Sequence, residues 1–350
     1  MTIRTQAILI PLLAATVGQA APALAGQAAV VREARDARVV ARAVTRYQGN
    51  RNQNRVEESD SDTRRSKIGA NGILELRNIA GDITITAGGG DTAIVEIIRT
   101  ARGSSAADAL EQLKLVRIET AETAGRFEVR EVYPERRGRD SRRNFSVTTE
   151  YRVTAPAGAR VRADSISGSI SVSGIRGEQA LNTISGNVSV RQGGALIKGQ
   201  SISGNVELVS AQEDAVVELS STSGNVTAQG LRLRRIDLGS ISGRIVGRDL
   251  QADQASLHTM SGNVEYSGSL TSGGRYEFRT HSGDVRLTLA GGTGFELEAS
   301  TFSGEVRSGL QLRLQGDLGR RTRTVRGTYG DGGARVTARS FSGDVLITGK

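Results

Sequence analysis

An eight-residue phrase recurs through the second half of this chain. It reads TISGNVSV at 183–190, SISGNVEL at 201–208, STSGNVTA at 221–228 and SISGRIVG at 240–247. The glycine of each Ser-Gly pair falls at Gly168, Gly186, Gly204, Gly224, Gly243, Gly262, Gly283, Gly304 and Gly343. The successive intervals are 18, 18, 20, 19, 19, 21, 21 and 39 residues. A sustained period of about 20 residues marks a solenoid, in which each repeat is one turn of the chain. The last interval is about twice the others, which predicts a degenerate copy within TVRGTYGDGG, residues 324–333.

With each glycine as position zero, +2 is Ile or Val in every copy, Val188, Val206 and Val226 among them. Such residues favour strands and pack well on a pleated surface. Position +4 is mostly apolar (Val190, Leu208, Tyr266, Leu287, Ile347) and shares a face with +2. Positions −7 (Val161, Ile197, Val217, Ile236) and −5 (Leu181, Leu219, Leu238, Leu257) share a face too. Yet −5 and +2 differ in parity, so one straight strand cannot bury both. The chain must turn at Ser-Gly, and glycine tolerates backbone angles that other residues avoid.

Position −3 is always Ser or Thr, from Ser165 to Ser340. Stacked coils would bring these hydroxyls about 4.8 Å apart, as a ladder able to satisfy itself. Asn187, Asn205, Asn225 and Asn263 at +1 form a second such column. Position −2 carries Ile166, Ile184, Ile202, Ile241 and Met260, then Phe302 and Phe341. These side chains either tuck into the corner or form an outward apolar ridge; interruption by Thr222 and His281 favours the corner. NIAGDITI at 78–85 fits the same template, with Ile83 at +2 and Ile85 at +4. One coil cannot bury its apolar face, but a stack can. The expected fold is all-β: a single-stranded parallel β-helix (β-solenoid) of about 19–20-residue coils. A right-handed sense is expected, although no residue fixes it. SSAADALEQLKLV adds one short helix near 105–114.

The rest of the chain divides accordingly. Residues 1–25 read as a secretory signal peptide: Arg4, a short apolar core over 7–17, and Ala23-Leu24-Ala25 before the cut. That core is too short to span a bilayer, and no later stretch is long enough. Residues 26–67 form an Arg-rich helical or disordered linker, residues 68–160 the N-terminal coils with the helical insertion, and residues 161–350 the regular Ser-Gly repeat. The mature protein is therefore expected in the periplasm, at the cell surface or secreted. Cysteine is absent, which excludes disulfides, thiol catalysis and thiolate metal sites.

The order of features from Ile68 to Lys350 resembles the bacterial DUF4097 family, also labelled putative adhesin. The residues carrying the resemblance are the opening GILELRNIAGDITI, the strand YRVTAPAGARV, the serial SGNV and SGDV coils, and the closing GARVTARSFSGDVLITGK. The resemblance implies a parallel β-helix, an extracytoplasmic location and no established catalytic residues.

No constellation of catalytic residues is legible. His258 and His281 are the only histidines, and no spacing couples either to a serine and an acid. HExxH and EF-hand patterns are absent. Asp284, Glu305 and Asp344 share the +1 column, but the degenerate copy is expected to separate Glu305 from Asp344. No catalytic residue, metal site or cofactor is assigned. The net charge is +9, and the basic residues are nearly all arginine. RRGRDSRR at 136–143, LRLRRID at 231–237 and GRRTRTVR at 319–326 are locally basic; Arg320, Arg321, Arg323 and Arg326 are the candidate polyanion patch. Nucleic acid is not expected, because no aromatic platform accompanies the charge.

The function expected is therefore a non-enzymatic, adhesin-like binding or structural module at the cell envelope. Its expected partners are an envelope polysaccharide, an anionic lipid or another protein. A polysaccharide-active lyase or glycoside hydrolase, or an envelope-stress accessory protein, is the alternative. The chain stops directly after a strand at Lys350, so its last coil is expected to offer an open edge for self-association.

Overall fold

The computed structural model describes residues 41–42, 55–133, 146–314 and 323–350. The chain has the columns that the repeat requires. Ile170 pairs in parallel with Val188, Val188 with Val206, Val206 with Val226, and Val226 with Ile245. All five are buried. On the other side of the corner, Val161, Gln179, Ile197 and Val217 follow one another in parallel register. The two flanks close over one continuous apolar core that runs from Ile68 to Ile347.

Backbone freedom accounts for only part of the corner: Gly262, Gly283, Gly304 and Gly343 take φ of 152°, 147°, 158° and 147°. Gly168, Gly186, Gly204, Gly224 and Gly243 have no left-handed backbone that would require glycine. What they share is proximity. A Cβ built on Gly204 would lie 1.9 Å from the carbonyl oxygen of Gly186, and one on Gly224 would lie 2.1 Å from that of Gly204. Each glycine thus stacks directly on the glycine of the coil before it. The −3 hydroxyls do not bond to one another either. Thr183 Oγ1 donates to the carbonyl of Gly168 (2.9 Å), Ser201 Oγ to that of Gly186 (2.8 Å), and Ser221 Oγ to that of Gly204 (2.8 Å). At +1 the side-chain oxygen of Asn187 accepts from the backbone N–H of Asn205, and that of Asn205 from the N–H of Asn225. Side chains therefore seal the backbone where two strands meet at an angle.

Sequence order and stack order part at both ends. The coil of Gly343 sits between those of Gly283 and Gly304: Ala334–Ser342 pairs with Tyr276 and its neighbours on one side and with Phe295–Ser303 on the other. Val345–Gly349 likewise lies between Val285–Ala290 and Val306–Ser308. The last strand of the chain is thus interior, and the expected open edge at the C-terminal coil does not exist. The expected degenerate copy is absent as well. Thr324–Tyr329 runs antiparallel to Phe295–Ser300 and covers the end of the stack.

At the other end, Ile73–Ala80 lies between Arg160–Ser167 and Arg126–Val132, again out of sequence order. Beyond it the pattern becomes antiparallel, through Val147–Pro156, Thr92–Gly103 and Val56–Lys67. The helix Ala106–Leu115 packs Ala109 and Leu113 against Ala101 and Val147. Ser105 caps its start, accepting from the N–H of Asp108. Arg99 donates to the carbonyls of Leu113 and Val116 at its end.

The glycine column predicts a sharp contrast. Gly204→Ala must push two coils apart and is expected to cost about 3 kcal/mol or more, whereas a Cβ on Gly89 meets nothing within 4 Å. Gly89→Ala is expected to change stability by less than about 0.5 kcal/mol. Thr183→Val, which leaves the Gly168 carbonyl without its hydroxyl, is expected to cost about 1–2 kcal/mol. Denaturant unfolding of the three variants measures all of these.

Candidate functional site

Strands such as Gln179–Ser185 run straight through position −2 and bend only at the glycine. Side-chain alternation therefore continues through −2. Because −3 points inward, −2 points outward, and the expected corner packing is overturned. Ile184 is 45% exposed, Ile241 54%, Met260 58% and Phe302 62%. The −2 side chains form an apolar ridge along the outside of the stack.

The aromatic members come together because the last coils exchange places. His281, Phe341 and Phe302 occupy three consecutive rungs. His281 and Phe341 stack with centroids 4.6 Å apart at 8°, and Phe341 and Phe302 at 4.8 Å and 6°. Sequence order hides this contact, since Phe302 and Phe341 are 39 residues apart there.

Beside the ridge runs a groove of about 920 Å³ from Ile79 to Met260. Its far wall is the −4 column, where Arg77, Asp164, Asn182, Gln200, Ser220, Gly239 and His258 follow one another. The −3 hydroxyls lie at its base. The His258 ring lies over Gly239, where a Cβ would come within 2.9 Å of Nε2. Further along, the −4 residues are Arg279 and Arg339, and neither they nor the three stacked rings line the groove. From Asp164 to Ser220 the surface therefore has isoleucines beside short polar side chains, and further along it has aromatic rings beside Arg279 and Arg339.

The open end of the groove is bounded by Glu131, which holds the −3 position in the outermost parallel rung. No Ser-Gly corner follows it. Its carboxylate instead accepts from Thr149 Oγ1 (2.5 Å) and from the N–H of Ile79 (2.9 Å). Burial raises its pKa above the ordinary 4.5, against the lowering effect of these hydrogen bonds.

The other sequence candidates are placed as follows. Asp284, Asp344 and Glu305 are consecutive in the stack, which overturns the expected separation of Glu305 from Asp344. Asp284 Oδ1 accepts from the N–H of Asp344, and Asp344 Oδ1 from the N–H of Glu305. Arg286 binds Asp284 and Arg307 binds Glu305. These acids continue the +1 ladder. Among the described residues no cluster of acids and histidines could hold a metal ion, and no helix is long and apolar enough to cross a membrane. Of the arginine patch, Arg320 and Arg321 lie outside the described residues, as does the segment 136–143. The carbonyl of Arg323 accepts from the N–H of Thr301, and the Arg326 guanidinium lies 3.5 Å from Glu298. In the segment 231–237, Arg235 pairs with Asp237 and Arg232 with Glu213.

Residues 197–348 match the family model described as Toastrack DUF4097. Solved structures similar to this chain include a putative adhesin from Bacteroides fragilis, 11% identical, covering 83% of this chain and 97% of that one, with a TM-score of 0.37. A putative lipid binding protein from Parabacteroides distasonis is 13% identical over 83% and 96%, with a TM-score of 0.33. A putative cell adhesion protein from Clostridium sporogenes is 11% identical over 84% and 100%, with a TM-score of 0.23. No curated protein matches the sequence of this chain significantly.

Glu131 gives this end of the groove a pH signature. Between 4.5 and its raised native value, the folded state binds more protons than the unfolded state, so stability falls as pH rises through that window. Glu131→Gln is expected to flatten this dependence. Unfolding midpoints of both proteins from acid to neutral pH measure it; parallel curves would show that the carboxyl is not the source.

Proposed function

We propose that this protein is a non-enzymatic binding module of the cell envelope and that it engages its partner along the −2 ridge. The observation that carries the reading is the exposure of one apolar column beside the groove. The −7, −5, +2 and +4 columns are mostly buried, while −2 faces water from end to end. Soluble proteins rarely expose a long contiguous apolar surface without a partner for it. Covering half of an isoleucine side chain is worth about 1 kcal/mol, so many modest contacts summed along the ridge supply affinity without a deep pocket. The leader-like N-terminal sequence supports a location outside the cytoplasm. The +1 acids support a non-catalytic role, since they bond to backbone and arginine rather than converging on a free cleft.

Ile202→Glu puts a charge in the middle of the ridge at a 49% exposed site, where the fold tolerates it. The expected outcome is an unchanged unfolding midpoint and at least about tenfold weaker binding to whichever of four partners the wild type engages. These are lipopolysaccharide, peptidoglycan, phosphatidylglycerol vesicles and a second copy of the chain. Undiminished binding by the variant would remove the ridge from the site.

A further inference from the structure

The ridge is periodic, and its period restricts what can cover it. Successive −2 side chains are one strand spacing apart, as the 4.6 and 4.8 Å ring separations show. An α-helix laid along the ridge repeats every 5.4 Å and slips by about one rung over its length. An extended peptide presents same-face side chains about every 6.7 Å. An acyl chain needs no register, but it leaves the polar side chains of Gln200 and Ser220 facing hydrocarbon. A second copy of this ladder repeats at the same spacing and matches every rung.

The direction of pairing is set by charge and shape. Stack order along −2 is Ile79, Ile166, Ile184, Ile202, Thr222, Ile241, and then Met260, His281, Phe341 and Phe302. Parallel pairing sets the open halves of two copies together, and the halves bearing Arg279 and Arg339 together. Antiparallel pairing, with a two-fold axis along the strand direction between the rungs of Thr222 and Ile241, does the reverse. Ile202 then meets Met260, and Ile166 meets Phe341. In the −4 column Asp164 faces Arg339, Asn182 faces Arg279, and Gln200 faces His258. No like charges meet in these pairs, and the arginines of one copy enter the groove that the short side chains of the other leave open. Within the chain Asp164 accepts from Asn182 Nδ2 at 2.8 Å and lies 3.4 Å from Arg162, and Arg339 lies 3.2 Å from Glu298.

We infer that the partner of the ridge is a second copy of this chain, docked antiparallel with the ridges in contact and Asp164 opposite Arg339. The inference rests on the binding-module reading above and gives it a like-to-like partner. Such an interface is isologous, each copy contributing the same surface.

Sedimentation equilibrium of the purified protein is expected to show a dimer at micromolar concentration. Asp164→Arg and Arg339→Asp are each expected to weaken it about tenfold or more, and the double variant to recover it to within about threefold. The chain has no cysteine, so single introduced cysteines report the geometry. A short bismaleimide should link Thr222→Cys, which lies beside the axis. It should not link Ile166→Cys, whose two copies lie about 34 Å apart, seven strand spacings. A monomer at every concentration, a dimer without rescue by the double exchange, or efficient linking through Ile166→Cys would each overturn the inference. A monomer whose binding to lipopolysaccharide or vesicles is still lost in Ile202→Glu would remove the second copy and leave the binding-module reading in place.

Discussion

The contact on which the rest depends is glycine backbone on glycine backbone at the corner. Carbonyl oxygens occupy the space where a side chain would begin, about 2 Å from each ideal Cβ position along the column. Three groups then complete the seal: the −3 hydroxyl, the +1 side-chain oxygen and the ladder amides. This holds adjacent coils at one strand spacing on both flanks at once. Once that spacing is fixed, every position in the repeat becomes a column, and the character of a column is decided by parity alone. The buried columns make the core, and the outward −2 column makes the ridge.

The same uniformity explains why stack order escaped the sequence reading. Every coil presents the same template to its neighbours, so the coil of Gly343 fits between those of Gly283 and Gly304 as well as it would at the end. The connecting segment decides. Thr324–Tyr329 returns antiparallel along Phe295–Ser300 and occupies the outer edge, leaving the last strands to enter one rung further in. The mirrored exchange at Ile73–Ala80 leaves an antiparallel sheet at the opposite end. Antiparallel strands of the same chain thus cover both flanks at one end of the parallel stack and the Phe295–Ser303 flank at the other, which blunts the open-edge liability of a solenoid.

The two buried flanks were legible because the periodicity of Val188, Val206 and Val226 survives any error in the path between them. The ridge was legible as a list of residues but not as a surface. Ile184 and Ile202 carry the same composition signal as the core, and only their parity relative to Thr183 and Ser201 separates them. The bend was expected at Ser-Gly with −2 tucked into it; the strand continues to Ser185 and Ser203, so −2 keeps the alternation and points outward. The hydroxyl partners were unreadable for a related reason. A serine column can bond to itself or to backbone, and only the distance between corners settles the choice.

The aromatic end of the ridge bears on what kind of surface this is. Rings held at ladder spacing cover one another: both faces of Phe341 are occupied, by His281 and by Phe302. Only ring edges, together with the outer face of Phe302, remain available. Recognition of a sugar through its aliphatic hydrogens needs open ring faces, which this stack withholds. Edges are the positive rim of the aromatic quadrupole and pack well against aliphatic side chains. The other half of the ridge supplies such side chains, at the same spacing, in isoleucines from Ile79 to Ile202. A surface built from two unlike halves with one shared period is complementary to itself reversed, and the periodicity that folds the chain is also what allows it to meet its own copy.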